Sequence, residues 1–283
     1  MNENPYSAPN SIVDKPTDPK QFELHPPRRV PASHGGVWLA SGWAMFSKNP
    51  GTWLGITVVY VLINLVPTAV SFISYSLGNI VSIGFGLLAF IWAGGLMLGC
   101  RALDSGEALT FTHLFAGFKN RPVSLLLLGF FILVVFFLIG AAVVAVMAAP
   151  LLNLGVSDVA QIDPTVFFDN PTLILLPILV MLLLSVPVIM LVWFAPALIV
   201  LNNVSLVDSV TMSFKACLIN TVPFLIYGLV FLLISIFVLL VIGIAVFAAG
   251  FAGILFYLAA ILISVPVVIG SIYDSYKDIF IET

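Results

Sequence analysis

The chain has 283 residues, of which 61% are hydrophobic and only 8% are charged, and its mean hydropathy is +1.19. Ordinary soluble domains are about 45–50% apolar and about 25% charged, so this composition excludes a water-soluble globular protein. The net charge is −3, and the few basic residues are spread over four segments, so the sequence shows no basic patch typical of a nucleic-acid-binding surface.

The N-terminal 36 residues differ from the rest, because they are rich in Pro, Asn, Ser and charge. Such a segment buries too little apolar surface to offset its ordering entropy, so residues 1–36 are expected to form a disordered cytoplasmic tail. No apolar segment follows a basic start, so no signal peptide is predicted, and the first span is expected to act as an uncleaved anchor. The sequence "NPYSAP" at 4–9 favours turn and extended structure, and is either a ligand for a cytoplasmic protein or plain solvated chain.

Four long intervals lack Asp, Glu, Lys, Arg and His, and they hold the predicted membrane spans. These intervals are the 52 residues between Lys48 and Arg101, the 36 between Arg121 and Asp158, the 38 between Asp169 and Asp208, and the 58 between Lys215 and Asp274. Because a spanning helix needs about 20 apolar residues, the first and last intervals hold two spans each and the others hold one. The six helices are predicted near 52–75, 78–100, 122–148, 171–199, 222–248 and 251–273.

The fold class predicted from these spans is all-α. A membrane β-barrel would alternate apolar and polar residues, which runs such as "LLLLGFFILVVFFLIGAAVVAV" do not. The chain is therefore predicted to be a polytopic membrane protein, with a six-helix transmembrane domain at 37–273 and a short cytoplasmic C-terminal tail at 274–283.

The basic residues predict the orientation of the spans. All ten lie ahead of the first span, in the 101–121 and 200–221 loops, or at the C-terminus, and the loops near 74–79, 149–170 and 249–251 have none. Because Lys and Arg mark the cytoplasmic side of a membrane, both termini are predicted to be cytoplasmic. Cys100 and Cys217 then lie at or near the cytoplasmic face, where thiols stay reduced.

The stretch "DSGEALTFTHLFAGFKNRP" at 104–122 predicts a short helix in the membrane interface between spans 2 and 3. Asp104 and Glu107 resemble a capping box at its start, and Pro122 opens the next span. Its apolar residues recur at helical spacing on one face: Phe111, Leu114, Phe115 and Phe118. This structural role is favoured over a ligand or partner site.

The same pattern occurs twice more. At 101 residues downstream, Ser205 and Asp208 form a capping box and Pro223 corresponds to Pro122. An upstream copy aligns Leu39, Trp43, Phe46 and Pro50 with Phe111, Phe115, Phe118 and Pro122. The chain is therefore predicted to contain three units, each an interfacial helix, a proline and a hairpin of two spans; coincidence of helical periods is the alternative.

The spans contain helix-packing patterns and no ionisable residue. Gly95 and Gly99 form a GxxxG pattern in span 2, and small residues form a ridge in span 3 at Ala141, Ala145 and Ala149. Prolines inside the spans predict kinks at Pro67, Pro177, Pro187 and Pro266. The polar residues in the spans are expected to bond to helices rather than to line a substrate path: Asn64, Ser82, Ser124, Ser185, Ser235 and Ser264.

Patterns typical of enzymes are missing. The sequence has no HExxH, GxSxG or Walker motif, and His25, His34 and His113 are scattered through the cytoplasmic segments. Asp158, Asp163 and Asp169 fit no calcium or magnesium loop and are expected to be solvated. The sequence therefore predicts no catalytic residue, no cofactor and no metal site.

The segment 193–220 is the best candidate for a functional site. Pro196 frees a backbone carbonyl near the end of span 4, next to Trp193. Lys215 and Asn220 precede span 5 and would offer a positive charge and an amide to a lipid phosphate or an acidic partner. In the alternative interpretation Lys215 only adds to the cytoplasmic positive charge, and Asn220 only caps span 5.

Three stretches resemble an uncharacterised family of proteobacterial inner-membrane proteins with six predicted spans: "CRALDSGEALTFTHLFAGF" (100–118), "WFAPALIVLNNVSLVDSVTMSFKACLIN" (193–220) and "SIYDSYKDIF" (271–280). The resemblance covers roughly residues 37–281 and implies a fold and a bacterial inner-membrane location, with no biochemical role. More distantly, the hairpins look like the membrane domain attached to some glycerophosphodiester phosphodiesterases. The chain shows no such catalytic domain, so that activity is not carried over.

Two classes of function are compatible with these features. The first is a non-enzymatic scaffold or accessory subunit that is surrounded by membrane lipids and binds a protein partner through its N-terminal tail or bundle surface. The second is a carrier or channel for a lipid or other lipophilic substrate, since transporters often use uncharged repeats with broken helices.

Overall fold

The computed structural model describes residues 23–153 and 165–281, and every regular element in these two ranges is helical. Eleven α-helices and one 3₁₀ helix (Phe111–Phe118) are found there. In chain order the α-helices are α1 (His34–Lys48), α2 (Pro50–Asn64), α3 (Val66–Ile73), α4 (Tyr75–Asp104), α5 (Pro122–Asn153), α6 (Thr165–Asp169), α7 (Thr172–Val192), α8 (Ala195–Asn202), α9 (Leu206–Ile219), α10 (Thr221–Ala249) and α11 (Phe251–Phe280).

Six helical segments in the described ranges are long and apolar enough to cross a membrane, which confirms the predicted polytopic all-α fold. The first consists of α2 and α3, and the fourth consists of α7 and α8. The six segments are Pro50–Ile73, Tyr75–Asp104, Pro122–Leu152, Thr172–Asn202, Thr221–Ala249 and Leu255–Phe280.

Consecutive spans pack in pairs: α3 on α4, α5 on α7, and α10 on α11. Helix α4 also contacts α5 and α11, and thereby connects the three pairs. Helix α1 lies against both α10 and α11. Its glycines allow close contact, since a Cβ at Gly35 would lie 2.1 Å from the carbonyl oxygen of Pro223 and one at Gly42 would lie 2.2 Å from that of Val267.

One end of the bundle is a densely packed layer, which we call the basal layer. It consists of residues 23–33, α1, the 3₁₀ helix, α8, α9 and the ends of α4 and α11 that they contact. Many of its large side chains are almost completely buried, among them Trp38, Phe194, Tyr273, Tyr276 and Phe280.

Basic residues join the segments of the basal layer. The guanidinium groups of Arg101 and Arg121 donate hydrogen bonds to the backbone oxygens of Leu201 and Asn203, both at 3.1 Å. Lys277 forms an ion pair with Asp104 at 2.8 Å. The structure therefore brings basic residues from separate segments to the same end of the bundle, as the predicted topology requires.

Outside the basal layer the spans are largely exposed. In the span Thr221–Ala249, none of the 18 consecutive residues with the highest hydropathy is buried. In the span Pro122–Leu152, only 6% of the corresponding residues are buried. Large apolar side chains such as Phe72 and Phe247 are 88% and 94% exposed. These surfaces suit the interior of a bilayer, where apolar side chains need no burial within the protein.

The structure differs from the expected tails at both termini. Residues 23–33 have irregular backbone but lie against the end of α11, with hydrogen bonds from His25 N to Phe280 O (2.8 Å) and from Arg28 N to Ile279 O (3.1 Å). Residues 274–280 continue α11 instead of forming a tail. Composition predicted disorder for 23–36 because it does not reveal hydrogen bonds to distant residues; residues 1–22, including "NPYSAP", lie outside the described ranges.

The 104–122 stretch also differs from its prediction. Asp104 is the last residue of α4, and the short helix begins at Phe111 with a capping box formed by Thr110 and His113. The helix is of the 3₁₀ type, so residues three apart align, and Leu114 and Gly117 are its buried residues. Phe111, Phe115 and Phe118 are about half exposed, so Leu114 is the member of the predicted apolar face that is buried within the protein.

The predicted GxxxG pattern explains why this short helix lies so close to α4. A Cβ at Gly95 would lie 2.4 Å from the carbonyl oxygen of His113, and one at Gly117 would lie 2.0 Å from that of Ile91. By contrast, Ala141 and Ala145 of the predicted ridge in α5 are exposed. The predicted glycines of span 2 therefore mediate close packing, whereas these two alanines of span 3 do not; the close contact of span 3 with α4 is instead at Gly129, where a Cβ would lie 2.6 Å from the carbonyl oxygen of Leu87.

Breaks and polar contacts in the spans follow the prediction in part. The first span is interrupted between α2 and α3, next to Pro67, whereas Pro177, Pro187 and Pro266 lie within continuous helices. Four of the predicted polar residues bond to carbonyl oxygens of their own helix: Asn64, Ser82, Ser235 and Ser264.

Candidate functional site

The helix break before Pro196 is closed by a serine from another helix. Helix α7 ends at Val192, and α8 begins at Ala195 with Pro196 in its first turn. The hydroxyl of Ser213 in α9 donates to the carbonyl oxygen of Met190 at 2.7 Å and accepts from the amide of Phe194 at 3.0 Å. This buried hydroxyl replaces the helical hydrogen bond that would join residues 190 and 194, so a polar side chain of α9 satisfies two backbone groups at the break.

Trp193 lies between α7 and α10 as a packing residue. Its ring is edge-on to Phe224 and Tyr227, with centroid distances of 5.6 and 5.9 Å. Both aromatic partners belong to the first turns of α10, and Trp38 of α1 contacts the same pair. The aromatic residues thus join three elements at the base of span 5.

Asn220 is buried and binds the N-terminal segment. Its Oδ1 accepts from the amide of Val30 at 2.9 Å, and its Nδ2 donates to the carbonyl oxygen of Arg28 at 2.9 Å and to that of Ala216 at 3.0 Å. It makes no side-chain cap to α10. Asn220 therefore neither faces a lipid headgroup nor caps span 5, and its amide fixes residues 28–30 to α9.

Lys215 is exposed on α9, whereas Asn220 is only 1% exposed. The structure therefore does not bring the two residues into one site. The predicted pairing assumed that sequence proximity ahead of span 5 gives a common surface. The turn between α9 and α10 instead directs Asn220 into the protein.

Asp278 is the residue that the sequence interpretation missed. Its carboxylate accepts from Arg28 at 3.2 Å, contacts Nδ1 of His34 at 2.7 Å and accepts from Nε1 of Trp38 at 2.9 Å. Nε of Arg28 also donates to the backbone oxygen of Asp278 at 2.6 Å. The side chain of Asp278 is only 10% exposed, so this acid connects the N-terminal segment, α1 and α11.

A second acidic residue connects two other helix ends. Asp104 at the end of α4 pairs with Lys277 and accepts from the hydroxyl of Tyr273 at 3.3 Å. The hydroxyl of Tyr276 donates to Oδ1 of Asn202 at the end of α8. The stretch "SIYDSYKDIF" thus contributes its polar side chains to inter-helix contacts; its alternation of aromatic and acidic residues at the end of a span was the only indication in the sequence.

Neither cysteine is positioned for chemistry. Cys100 and Cys217 are free thiols and both are buried. Burial raises the pKa of Cys217, in α9, to about 12, so its reactive thiolate form is scarce at neutral pH. Within residues 23–153 and 165–281 no group of three or more His, Cys, Asp or Glu side chains is arranged to hold a metal ion. Asp158 and Asp163 lie outside these ranges.

An apolar groove of about 810 Å³ lies between α10 and α11, with α1 at its basal end. We call it the α10/α11 groove. Its lining includes Gly36 and Trp43 of α1, Val230 and Ile242 of α10, and Ala260 of α11. A smaller cavity of about 290 Å³ lies where α10 and α11 face Tyr60 of α2 and Ala93 of α4.

Comparisons with protein-family models, curated proteins and solved structures give no match for this chain. The resemblance to a six-span inner-membrane family, and the distant likeness to the membrane domain of some phosphodiesterases, therefore stay predictions.

Proposed function

We propose that this chain is a non-enzymatic scaffold or accessory subunit of the bacterial inner membrane, with both termini in the cytoplasm. The contrast between a fully packed basal layer and exposed spans carries the proposal. The basal layer uses its polar residues in internal contacts, such as those of Asp278 and Asn220. These polar side chains thus hold helices in place and are not free to bind a substrate.

The spans supply the surface that a scaffold needs. Helix α5 contacts α4 and α7, and leaves Ala141 and Ala145 exposed. Without a hydrophobic driving force inside a bilayer, helices associate through close van der Waals contact, which small residues permit. The α5 face around Ala141 and Ala145 is therefore our candidate surface for a partner span.

Capture of a partner tests this proposal. We expect the tagged wild-type protein, purified from its native membrane in mild detergent, to carry a stoichiometric membrane protein. The double substitution Ala141→Leu/Ala145→Leu should reduce the recovered partner at least about tenfold, the effect of losing ~1.4 kcal/mol of contact. The control is Ala259→Leu, on an exposed face of α11. A wild-type protein without any stoichiometric partner would contradict the scaffold role.

The proposed orientation has its own test. A reporter that is active only outside the cytoplasm should work when fused after Ser157 and stay silent after Gly106 or Thr283. Activity at Thr283 would overturn the six-span topology with cytoplasmic termini.

A carrier or channel for a lipid is the second candidate, and the α10/α11 groove favours it. Purified protein in vesicles would then accelerate the movement of a labelled phospholipid between leaflets. Vesicles with the Gly36→Leu/Ala260→Phe variant, which fills the groove, should lose that acceleration. Equal rates in protein-free and protein-containing vesicles would eliminate this candidate.

A further inference from the structure

The α10/α11 groove has the dimensions of one membrane leaflet. Along α10 it extends from Val230 to Ile242, which at 1.5 Å per residue is about 18 Å. The hydrocarbon core of a bilayer is about 30 Å thick, so one leaflet contributes about 15 Å. Helix α1 closes the basal end, since it packs against α10 at Pro223 and Tyr227, below the lining residues.

The lining excludes polar ligands. It consists of apolar residues apart from Ser235, Ser264 and Tyr257, and both serine hydroxyls are already bonded to carbonyl oxygens of their own helices. A polar ligand in this groove would therefore lose its hydrogen bonds to water without replacement. The polar segment 1–22 of this chain is unsuited to the groove for the same reason.

Small residues keep the groove open at its basal end. A Cβ at Gly36 would meet no atom within 4 Å, whereas one at the neighbouring Gly35 would collide with the backbone of α10. Gly36 and Ala40 line the groove together with Trp43, which is 54% exposed. Tryptophan is common at the level of lipid headgroups, which places this end of the groove at the membrane surface.

We propose that the α10/α11 groove binds one acyl chain of a phospholipid from the leaflet on the basal side and retains that lipid as a bound component. The chain lies between α10 and α11, its methyl end pointing away from α1, and its headgroup lies beside Trp43. The groove walls contact the chain from several sides, so it gains more van der Waals contacts here than on a flat helix face. The inference depends on membrane embedding and is independent of a protein partner.

Lipid retention after purification tests the proposal. The wild-type protein, washed extensively in mild detergent, should retain about one phospholipid per chain by mass spectrometry. Gly36→Leu/Ala260→Phe adds side chains that occupy the groove and should reduce retained lipid at least about fivefold. Gly140→Leu is the matched control, because Gly140 is exposed on α5 and also has open space around its Cβ; it should retain the wild-type amount.

A second measurement excludes misfolding as the cause of lipid loss. Each variant is required to elute as the wild type does and to unfold at a similar temperature. If Gly36→Leu/Ala260→Phe folds poorly, the wild-type protein is instead incubated with a phospholipid that has a photoreactive acyl chain. That chain should then cross-link to groove residues of α10 and α11. Absence of retained lipid in the wild type, equal loss in the control, or cross-links spread evenly over all spans would overturn the proposal. If the groove-filling variant loses lipid but still captures the protein partner, lipid binding and the scaffold role are independent.

Discussion

The basal layer and the exposed spans contain the same aliphatic residue types in opposite surroundings. In α8, every residue from Ala195 to Leu201 is buried, whereas in α10 the most apolar window has no buried residue. Leucine, isoleucine and valine make up about half of both helices, so the content of these residues does not predict burial. The difference lies in neighbours: α8 is enclosed by α4 and α9, whereas α10 contacts α11 and α1 on one side.

This difference shows where specificity resides in the chain. In the basal layer, glycine contacts and buried hydrogen bonds fix one arrangement of helices, and any wrong arrangement leaves polar groups unpaired. In the spans, an apolar side chain has nearly the same environment against lipid as against another helix. Substitutions should therefore be costly in the basal layer and mild on the outer faces of the spans.

The largest effect is expected for Asp278→Ala. The substitution leaves Arg28, His34 and Trp38 without their shared acceptor, and loss of one partner from a buried ion pair costs about 3–5 kcal/mol. Because Arg28 and His34 are partly exposed, we expect about 3 kcal/mol, measured by unfolding in detergent. Asp278→Asn, which keeps an acceptor oxygen, should cost less. The exposed Glu107→Gln is the control, and a similar result for all three would refute the proposed role of Asp278.

The next effect is expected for Gly117→Leu. The new side chain would occupy space now held by the backbone of α4 at Ile91, and overpacking of this kind costs about 1–3 kcal/mol. A Cβ at Gly86 would meet no atom within 4 Å, so the stability of Gly86→Leu should stay near that of the wild type. Equal melting temperatures for the two variants would mean that the 3₁₀ helix does not pack closely on α4.

Asn220→Ala should be intermediate. It leaves the amide of Val30 and the carbonyl of Arg28 unpaired, and each buried unpaired group costs about 1–3 kcal/mol. Because both groups can regain water when residues 23–33 detach, we expect about 2 kcal/mol and faster proteolysis of that segment. Lys215→Glu, at an exposed position of the same region, should change stability by less than about 0.5 kcal/mol. Unchanged proteolysis in Asn220→Ala would disprove the anchoring of this segment.

Hydropathy was sufficient to predict the six spans, because a membrane imposes length and apolarity on each segment separately. Ser205 was predicted correctly as the cap of α9, because capping also depends on residues close in sequence, and its Oγ accepts from the amide of Asp208 at 3.2 Å. The second half of the predicted capping box differs, since the carboxylate of Asp208 accepts from the hydroxyl of Ser205 at 2.6 Å. The contacts of Asp278 join residues about 240 positions apart. No local pattern encodes such contacts, and they are what turned the expected tails into parts of the basal layer.

The candidate site was harder to predict than the fold. Pro196 was recognised as freeing a backbone carbonyl near the end of span 4. The hydroxyl that bridges Met190 and Phe194 at the helix break, however, belongs to Ser213, which lies in another helix and carries no distinguishing pattern. Asn220 was recognised as polar and close to the membrane, yet its burial depends on the turn between α9 and α10. Residues with local roles could thus be identified, whereas residues that join elements could not.

A smaller effect is expected for Ser213→Ala. The amide of Phe194 and the carbonyl of Met190 lose a shared partner, which we expect to cost about 1–2 kcal/mol because the helix can partly reform its own bond. Thr211→Ala on the same helix removes a hydroxyl that bonds only to Val207 within α9, and it should have little effect. Thermal unfolding of both variants distinguishes a bond between helices from one within a helix.

The smallest effect is expected at the outer face of the 3₁₀ helix, where the two regions meet. Phe115 is 44% exposed and contacts Phe118 at a centroid distance of 6.5 Å, so it belongs neither to the core nor to a fully exposed span. An aspartate at the bilayer centre costs about 2.5–3.5 kcal/mol, and the cost falls toward the surface. We therefore expect Phe115→Asp to cost about 1 kcal/mol and to lower the amount of protein recovered from membranes. Thr112→Asp, three residues away on the same side of the 3₁₀ helix, should be milder because threonine contributes far less apolar area than phenylalanine. Equal recovery of both variants would indicate that this face contacts water and not lipid. The 3₁₀ helix would then lie outside the membrane.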